Sequence, residues 1–528
     1  MTGYRRHFSR ISYTSTDDGW ICLKGGQTGD VSGSGDSTRF TGKMAESKET
    51  KQVSPSEINS DVEVGVDITA VEKQSLLRKI DWIILPPITL LFFLSFLDRS
   101  NIGNAKLDDL TVDLHMTSEQ YLIILSVFFI GYCAFEIPSN ISLKITSPRI
   151  WLPTLMLVWG VVATLMALST SFGGLLAARF FLGATEAGVF PGAIFYLSMW
   201  YGRRALVRRV TLFFTSTSLA GAFGGILAYG IGHMSGVAGK HGWFWIFAIE
   251  GLGTVVVAAI SYFLIQEFPS KAKFLSTRER AVLKALLAED NDALRDEPWS
   301  WAEAARTFRD PKVYLYMFAW MGQALPLYTV TLFLPTIIAN LGYTAADAQL
   351  LTVPPYAVAT VIAIAVALLS ERYNIRAPFI VGSCVVAILG YILLLSDLRT
   401  GVQYLGTFFA TAGIFPASAL VFTWVSSNVS GQVKRCVATA IQISLGDIGA
   451  VVGCQLYRPT QVPRYPLGHG MALGFVALSL VTSLLLWDML VKENRRRDAI
   501  TGGPPGDQSF LSSDDFTGDD DVRWRFIA

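Results

Sequence analysis

Residues 81–106 read DWIILPPITLLFFLSFLDRSNIGNAK, and this stretch decides the fold. Residues 82–97 carry no charge. Coiled as a helix at about 1.5 Å per residue, the stretch is about 39 Å long, enough to cross a bilayer core of about 30 Å. Working outward, further apolar runs lie at 121–142, 150–168, 172–200, 208–232, 243–265, 313–338, 350–369, 377–396, 402–427, 436–457 and 469–490, making twelve in all. The composition agrees. Of 528 residues 51% are hydrophobic and only 16% charged, against about 25% charged in a soluble domain. A soluble enzyme, a nucleic-acid binder and a secreted disulfide module are excluded. The net charge of +1 points to no acidic partner.

The runs divide the chain. Residues 1–80 are polar and rich in Ser, Thr, Gly, Asp and Lys, and read as a disordered tail that cannot bury enough apolar surface to fold alone. No apolar core of a signal peptide follows Met1, and Met44 offers a second start. Six runs fill 81–266 and six fill 313–491, joined by a polar stretch at 267–312 with nine Lys/Arg and nine Asp/Glu. Within that stretch, STRERAVLKALLAED reads as an amphipathic helix opened by a Ser/Thr cap with Glu279 close behind. Residues 492–528 read as a second tail. The even-numbered loops and the segment after run 12 hold 23 Lys/Arg, the odd-numbered loops five. The positive-inside rule therefore puts both termini and the central stretch in the cytosol. The fold class is an all-α membrane protein, twelve transmembrane helices in two six-helix bundles. In such a plan one bundle rocks against the other around a midplane site. The small-residue run LAGAFGG in helix 5, and prolines such as Pro86, Pro87, Pro138, Pro191, Pro326 and Pro416, suit closely packed, bent helices.

Ionisable groups inside a membrane are expensive, so their positions mark function. The first bundle holds Asp98 and Arg99 in helix 1, Glu136 in helix 2, Arg179 and Glu186 in helix 4, and Glu250 in helix 6. The second bundle holds Asp447 in helix 11. Glu186 lies two helical turns after Arg179 on the same face, about 10 Å deeper. Arginine in a low-dielectric cavity binds carboxylates through its planar fork. A buried carboxyl takes up and releases a proton near neutral pH. Together these suit an anion carried with protons: Arg99 and Arg179 for the anion, with Asn101, and Asp98, Glu136 and Glu186 for the protons. Gln323, Tyr328, Asn428 and Gln442, with Trp424, supply polar groups from the second bundle. Glu250, beside Gly251, reads as structural. Cys133, Cys384 and Cys454 lie in apolar runs and read as small hydrophobes. No spacing suggests a metal or cofactor.

The segments FLDRSNIGNAKL, FEIPSN, RFFLGATEAGVFPG and GWFWIFAIEG resemble the major facilitator superfamily, and within it the anion:cation symporter family in its fungal allantoate permease branch. The resemblance runs from about Asp81 to Asp498 and weakly into DDDVRWRFIA. It implies the major facilitator fold, a fungal source, and uptake of carboxylates or vitamins such as nicotinate, pantothenate, biotin or allantoate with protons. It places Asp98, Arg99, Asn101, Arg179 and Glu186 on family positions. Three departures stand out: Phe244 where an arginine is expected, SGQVKR at the joint before helix 11, and Asp447 where the family pattern has Asn. The expected activity is proton-coupled import of a small organic anion by a monomer in the plasma membrane, without cofactor or nucleic acid. Export of a drug or metabolite by proton antiport is the rival, disfavoured by the absence of Pro from Gly221-Ala222-Phe223-Gly224-Gly225. A non-transporting nutrient sensor is a third reading.

Overall fold

The computed structural model describes residues 13–16, 19–22, 70–289, 300–397, 399–503 and 518–528. Met44 and most of the expected N-terminal tail lie outside the described residues. One small element stands in that region by itself: strand β1 (Tyr13–Thr16) pairs antiparallel with β2 (Gly19–Cys22), Tyr13 opposite Cys22.

Among the described residues, twelve helices are long and apolar enough to cross a membrane. In chain order the spans are Val71–Leu107 (span 1), Ser118–Glu136 (span 2), Pro148–Met166 (span 3), Phe172–Ser198 (span 4), Arg208–Gly232 (span 5) and Gly242–Leu264 (span 6). The second six are Pro311–Asn340 (span 7), Ala345–Tyr373 (span 8), Ala377–Leu395 (span 9), Thr400–Asn428 (span 10), Val433–Cys454 (span 11) and Pro466–Thr501 (span 12). Local chemistry starts several of them. Thr117 and Gln120 form a reciprocal capping box before span 2. Asp310 accepts from the Lys312 amide with Pro311 in the first turn of span 7. Each supplies acceptors or removes donors where a helix start leaves amides unpaired.

The two tail boundaries are corrected. The first helix begins at Ala70, within the stretch read as tail, because Leu76 and Ile80 are buried and because charged partners sit opposite: Glu72 pairs with Arg278, and Lys79 with Glu279. Those partners belong to the expected amphipathic helix, which runs Thr277–Glu289. At the other end, span 12 continues as helix to Thr501. Residues 518–528 then pack back on the second bundle, with Trp524 and Phe526 buried. Polar composition hid both, since their partners come from distant parts of the chain.

Spans 1–6 pack mainly among themselves, and so do spans 7–12. The bundles meet through span 1 on 7, span 5 on 8 and 10, and span 2 on 11. We call the end bearing the central stretch the basic end, and the other the far end. At the far end the bundles approach backbone to backbone. A Cβ added to Gly103 of span 1 would lie 2.5 Å from the Leu332 carbonyl oxygen of span 7. Gln455, just after span 11, donates to the Leu122 carbonyl (3.0 Å) and to Ser126 Oγ (2.6 Å) of span 2. Gln349 of span 8 donates to Asp108 after span 1 at 3.0 Å. Toward the basic end the contact is instead made by rings. Phe190 of span 4 stands edge-on to Phe422 of span 10 at 4.4 Å, and Phe214 of span 5 stacks on Phe422 at 6.2 Å.

Besides span 8, which is Ala345–Leu351 and Val353–Tyr373 with Thr352 between, two spans are interrupted. Span 4 is two helices, Phe172–Glu186 and Val189–Ser198. Span 11 is Gln432–Gly446 and Ile448–Cys454, with Asp447 between. Both interruptions fall at a carboxylate and beside a glycine, Gly188 and Gly446.

Candidate functional site

Span 1 delivers three polar side chains in one turn and a half: Ser95, Asp98 and Arg99, all buried. They face different neighbours. Asp98 turns into the first bundle, where its Oδ2 accepts from Trp159 Nε1 of span 3 (3.1 Å) and Thr254 Oγ1 of span 6 (2.8 Å). Arg99 turns toward the second bundle. Its Nε and Nη2 both donate to Glu186 Oε2, at 3.3 and 2.9 Å, and its Nη1 donates to Tyr328 Oη of span 7 at 3.1 Å. Ser95 Oγ donates to the same Glu186 oxygen at 3.0 Å. Rings enclose the guanidinium, with Phe128 and Tyr132 centred 5.0 and 5.2 Å from its carbon. Weakly hydrated arginine gains from such faces where water is excluded.

Arg99 and Tyr328 line a narrow cavity between the bundles. Tyr132 of span 2 and Asp447 of span 11 face it too. Asp447 Oδ1 accepts from Trp320 Nε1 at 3.0 Å, and Trp320 is itself in the wall. The basic-end side of the cavity is aromatic: Phe92, Phe190, Phe214 and Phe422. Phe92 lies seven residues before Arg99, about 10 Å nearer the basic end. The cavity is thus shut by close backbone packing at one end and by side chains at the other.

The remaining expected residues fall elsewhere. Arg179 is 1% exposed and lies off the cavity wall. Its Nη1 donates to the Arg99 carbonyl at 3.4 Å, and its Nε and Nη2 have no partner among the described residues. Glu186 therefore pairs with Arg99 across two spans, not with Arg179 on its own helix. Glu136 of span 2 accepts from Ser444 of span 11 at 3.1 Å, a contact between bundles. Asn101 is buried on span 1 with its Oδ1 unpartnered among the described residues. Glu250 is buried, and neither of its oxygens has a partner among the described residues. Gln323 donates to Ser479 Oγ at 2.9 Å, and Gln442 to the Val421 carbonyl at 3.1 Å, both holding the second bundle together. Asn428 bonds Tyr316 (2.9 Å) and both the amide and carbonyl of Ile527 (2.7 and 2.9 Å). Trp424 also donates to that carbonyl. The C-terminal segment thus occupies these two side chains. Sequence reasoning did not single out Ser95, Trp320 or the phenylalanine wall. The apolar rings carry no pattern that separates a cavity wall from packing.

Two bundles of six helices enclosing a charged midplane cavity define a membrane transporter. The family model of the Major Facilitator Superfamily matches residues 88–454, and the chain belongs to that superfamily. It is 34% identical over 446 residues to the "MFS-type transporter cnsO" of Penicillium expansum, covering 82% of this chain and 86% of that one. It is 34% identical to "Uncharacterized transporter C1002.16c" of Schizosaccharomyces pombe, covering 90% and 95%. It is 36% identical to "MFS transporter prlL" of a fungal species, covering 84% and 92%. Among solved structures it resembles a bacterial homologue of the human lysosomal transporter Spinster, inward-facing and occupied (TM-score 0.57, 14% identity, covering 80% of this chain and 97% of that one). It also resembles the proton:xylose symporter XylE (TM-score 0.56, 14% identity, covering 77% and 95%). At that identity the likeness speaks for the fold alone.

Proposed function

We propose that this transporter imports a small organic anion with protons across the plasma membrane, with Arg99 as the anion's counter-charge and Glu186 as the group that gates access to it. The Arg99–Glu186 pair, with Arg99 in the cavity wall and Glu186 buried behind it, carries this reading. While Glu186 is ionised it holds Arg99, and an anion gains little there. A proton on Glu186 removes its charge and frees the guanidinium fork for a carboxylate. The proton and the anion then cross together. This matters because each uncompensated charge moved against a membrane potential costs about 2.3 kcal/mol per 100 mV. The excess of Lys and Arg at the basic end supports a cytosolic position for that end and for both termini. In this orientation the far end faces outward, and Arg179, buried off the cavity wall with Nε and Nη2 unpartnered among the described residues, adds a second positive charge behind Arg99. Asp98 and Glu136 are further buried carboxyls for proton transfer, and Glu136 spans the bundle interface.

The test is transport in proteoliposomes with a panel of radiolabelled carboxylates at external pH of about 5 and about 7.5, spanning the range in which a perturbed carboxyl titrates. Glu186→Gln is expected to abolish accumulation driven by a pH gradient and to leave substrate-for-substrate exchange intact. A Gln variant that still concentrates substrate would place coupling on Asp98 or Glu136. Net proton-driven movement in the opposite direction would replace import by export.

A further inference from the structure

The cavity has a second polar pole that the anion reading does not use. Asp447 lies on the second bundle and Arg99 on the first, and both line the same space. Asp447 sits between the two helices of span 11, and it is 2% exposed. One of its oxygens takes the Trp320 indole N–H. No hydrogen bond to its other oxygen is found among the described residues, and that oxygen is not sealed from the cavity. A carboxylate at such depth is costly unless something answers it. The indole supplies only one donor.

The walls on the basic-end side of the same cavity are aromatic. Phe422 stands at 90° to Phe190 and at 87° to Trp320, with centroid separations of 4.4 and 4.9 Å. Phe214 lies nearly parallel to Phe422. Perpendicular ring pairs present faces and edges that accept another planar ring in stacked or edge-on contact. In this state the rings lie close together, so they must part to admit a substrate ring between them.

From this arrangement we infer that the substrate is a planar aromatic or heteroaromatic acid bearing a hydrogen-bond donor or amine at the end opposite its carboxylate. The carboxylate meets Arg99, the ring lies among Phe190, Phe422 and Trp320, and the donor meets the second oxygen of Asp447. Asp447 is then the residue that selects donor-bearing acids over plain ones. This rests on the anion reading given above and adds the shape and the second pole.

The test measures binding to the purified full-length protein in detergent, by ligand-induced change in thermal unfolding and by competition, so that it does not depend on transport. The probes are 4-(aminomethyl)benzoate, 4-methylbenzoate, and the saturated analogue 4-methylcyclohexanecarboxylate. A charge-assisted hydrogen bond in a closed cavity is expected to favour 4-(aminomethyl)benzoate over 4-methylbenzoate by about tenfold or more. The aromatic acid should bind more tightly than its saturated analogue. Asp447→Asn should remove most of the preference for the amine while 4-methylbenzoate still binds. Because Asn keeps an acceptor for Trp320, the variant retains the wall. Glu119→Gln serves as a control that removes an exposed carboxyl outside the cavity and should leave the preference in place. Equal affinity for the amine and methyl compounds, or a preference that survives Asp447→Asn, would overturn the proposal and leave the anion reading standing. Failure of all three acids to bind would sink both.

Discussion

Both nitrogens on one edge of the Arg99 guanidinium donate to a single oxygen of Glu186, Nε at 3.3 Å and Nη2 at 2.9 Å, while Glu186 Oε1 has no partner among the described residues. The pair joins span 1 to span 4 in a buried site, and it is held on one side only. Such a pair is strong enough to persist and incomplete enough to be exchanged. Removing one member of a buried ion pair leaves the other charge without an answer, typically about 3–5 kcal/mol, whereas removing both is often nearly neutral. Arg99→Met is therefore expected to lower thermal stability in detergent markedly, and Arg99→Met with Glu186→Leu to recover most of it. Equal loss in the single and double variants would show that packing, not charge, holds the two spans.

The position of the charges was legible in the sequence, and their partners were not. Spacing on one helix put Arg179 and Glu186 on a common face, but the first helix of span 4 ends at Glu186 and Arg99 approaches from span 1. Which of two arginines wins is set by how the helices cross, which no local pattern records. The count and order of the spans could be read directly, since length and apolarity are properties of each segment alone. The interruptions at Glu186 and Asp447 had a faint signal in Gly188 and Gly446. The C-terminal segment had none: DDDVRWRFIA looks solvated until Lys434, Asn428 and Arg497 are seen opposite it.

A proton-linked closure is expected at the far end. Asp108 accepts from Gln349 across the bundle interface, and burial pushes its carboxyl above its ordinary value of 3.8, with the Asp109 charge acting in the same direction and the Gln349 bond opposing. A raised value in the closed state means that closure binds protons. The closed far end is favoured in acid and weakens as pH rises from near 3.8 through the shifted value. Asp113 accepts from Trp243 and faces His241, and it stays in place in the test below. Spin labels at exposed Val112 and Tyr343 should report a separation that grows as pH rises above about 4. Asp108→Asn keeps an acceptor for Gln349 and should flatten that dependence. A slope unchanged in the Asn variant would assign it to another group.

The segment 518–528 is expected to be needed for the stability of the second bundle. Lys434 Nζ lies 2.9 and 2.7 Å from the two oxygens of Asp519, both side chains 5% exposed, and it also meets Asp310 at 3.2 Å. Arg497 donates to the carbonyls of Asp519, Asp521 and Trp524. Asp519→Asn removes one of two counter-charges and should destabilise by about 1–3 kcal/mol. Trp524→Ala empties a buried ring and should remove about 3–5 kcal/mol. Both are measured as loss of melting temperature in detergent. A chain lacking 518–528 that melts where the full chain does would mean the segment merely rests on the bundle.

Gly103 sets how closely the far end can shut. A side chain there would strike the Leu332 carbonyl oxygen, a backbone atom that cannot swing aside as the tip of a flexible side chain would. Spans 1 and 7 must separate to admit even a methyl group. Over-packing of this kind costs about 1–3 kcal/mol, which shifts a two-state equilibrium by about fivefold to 150-fold. The cost falls only on the state in which the far end is closed, because these spans part when it opens. Gly103→Ala is therefore expected to fold and to populate the far-end-open form more than the wild type does. Cycling needs both forms, so uptake should fall even with normal amounts of protein at the membrane. The measurement is the labelling rate of Tyr328→Cys in the cavity, in a background without the chain's own cysteines, by an impermeant thiol reagent applied from outside. Gly103→Ala should raise that rate by at least the lower end of the range, about fivefold. Unchanged labelling together with unchanged uptake would mean that span 7 yields at Leu332, and that the close approach is a detail of packing and not a determinant of closure.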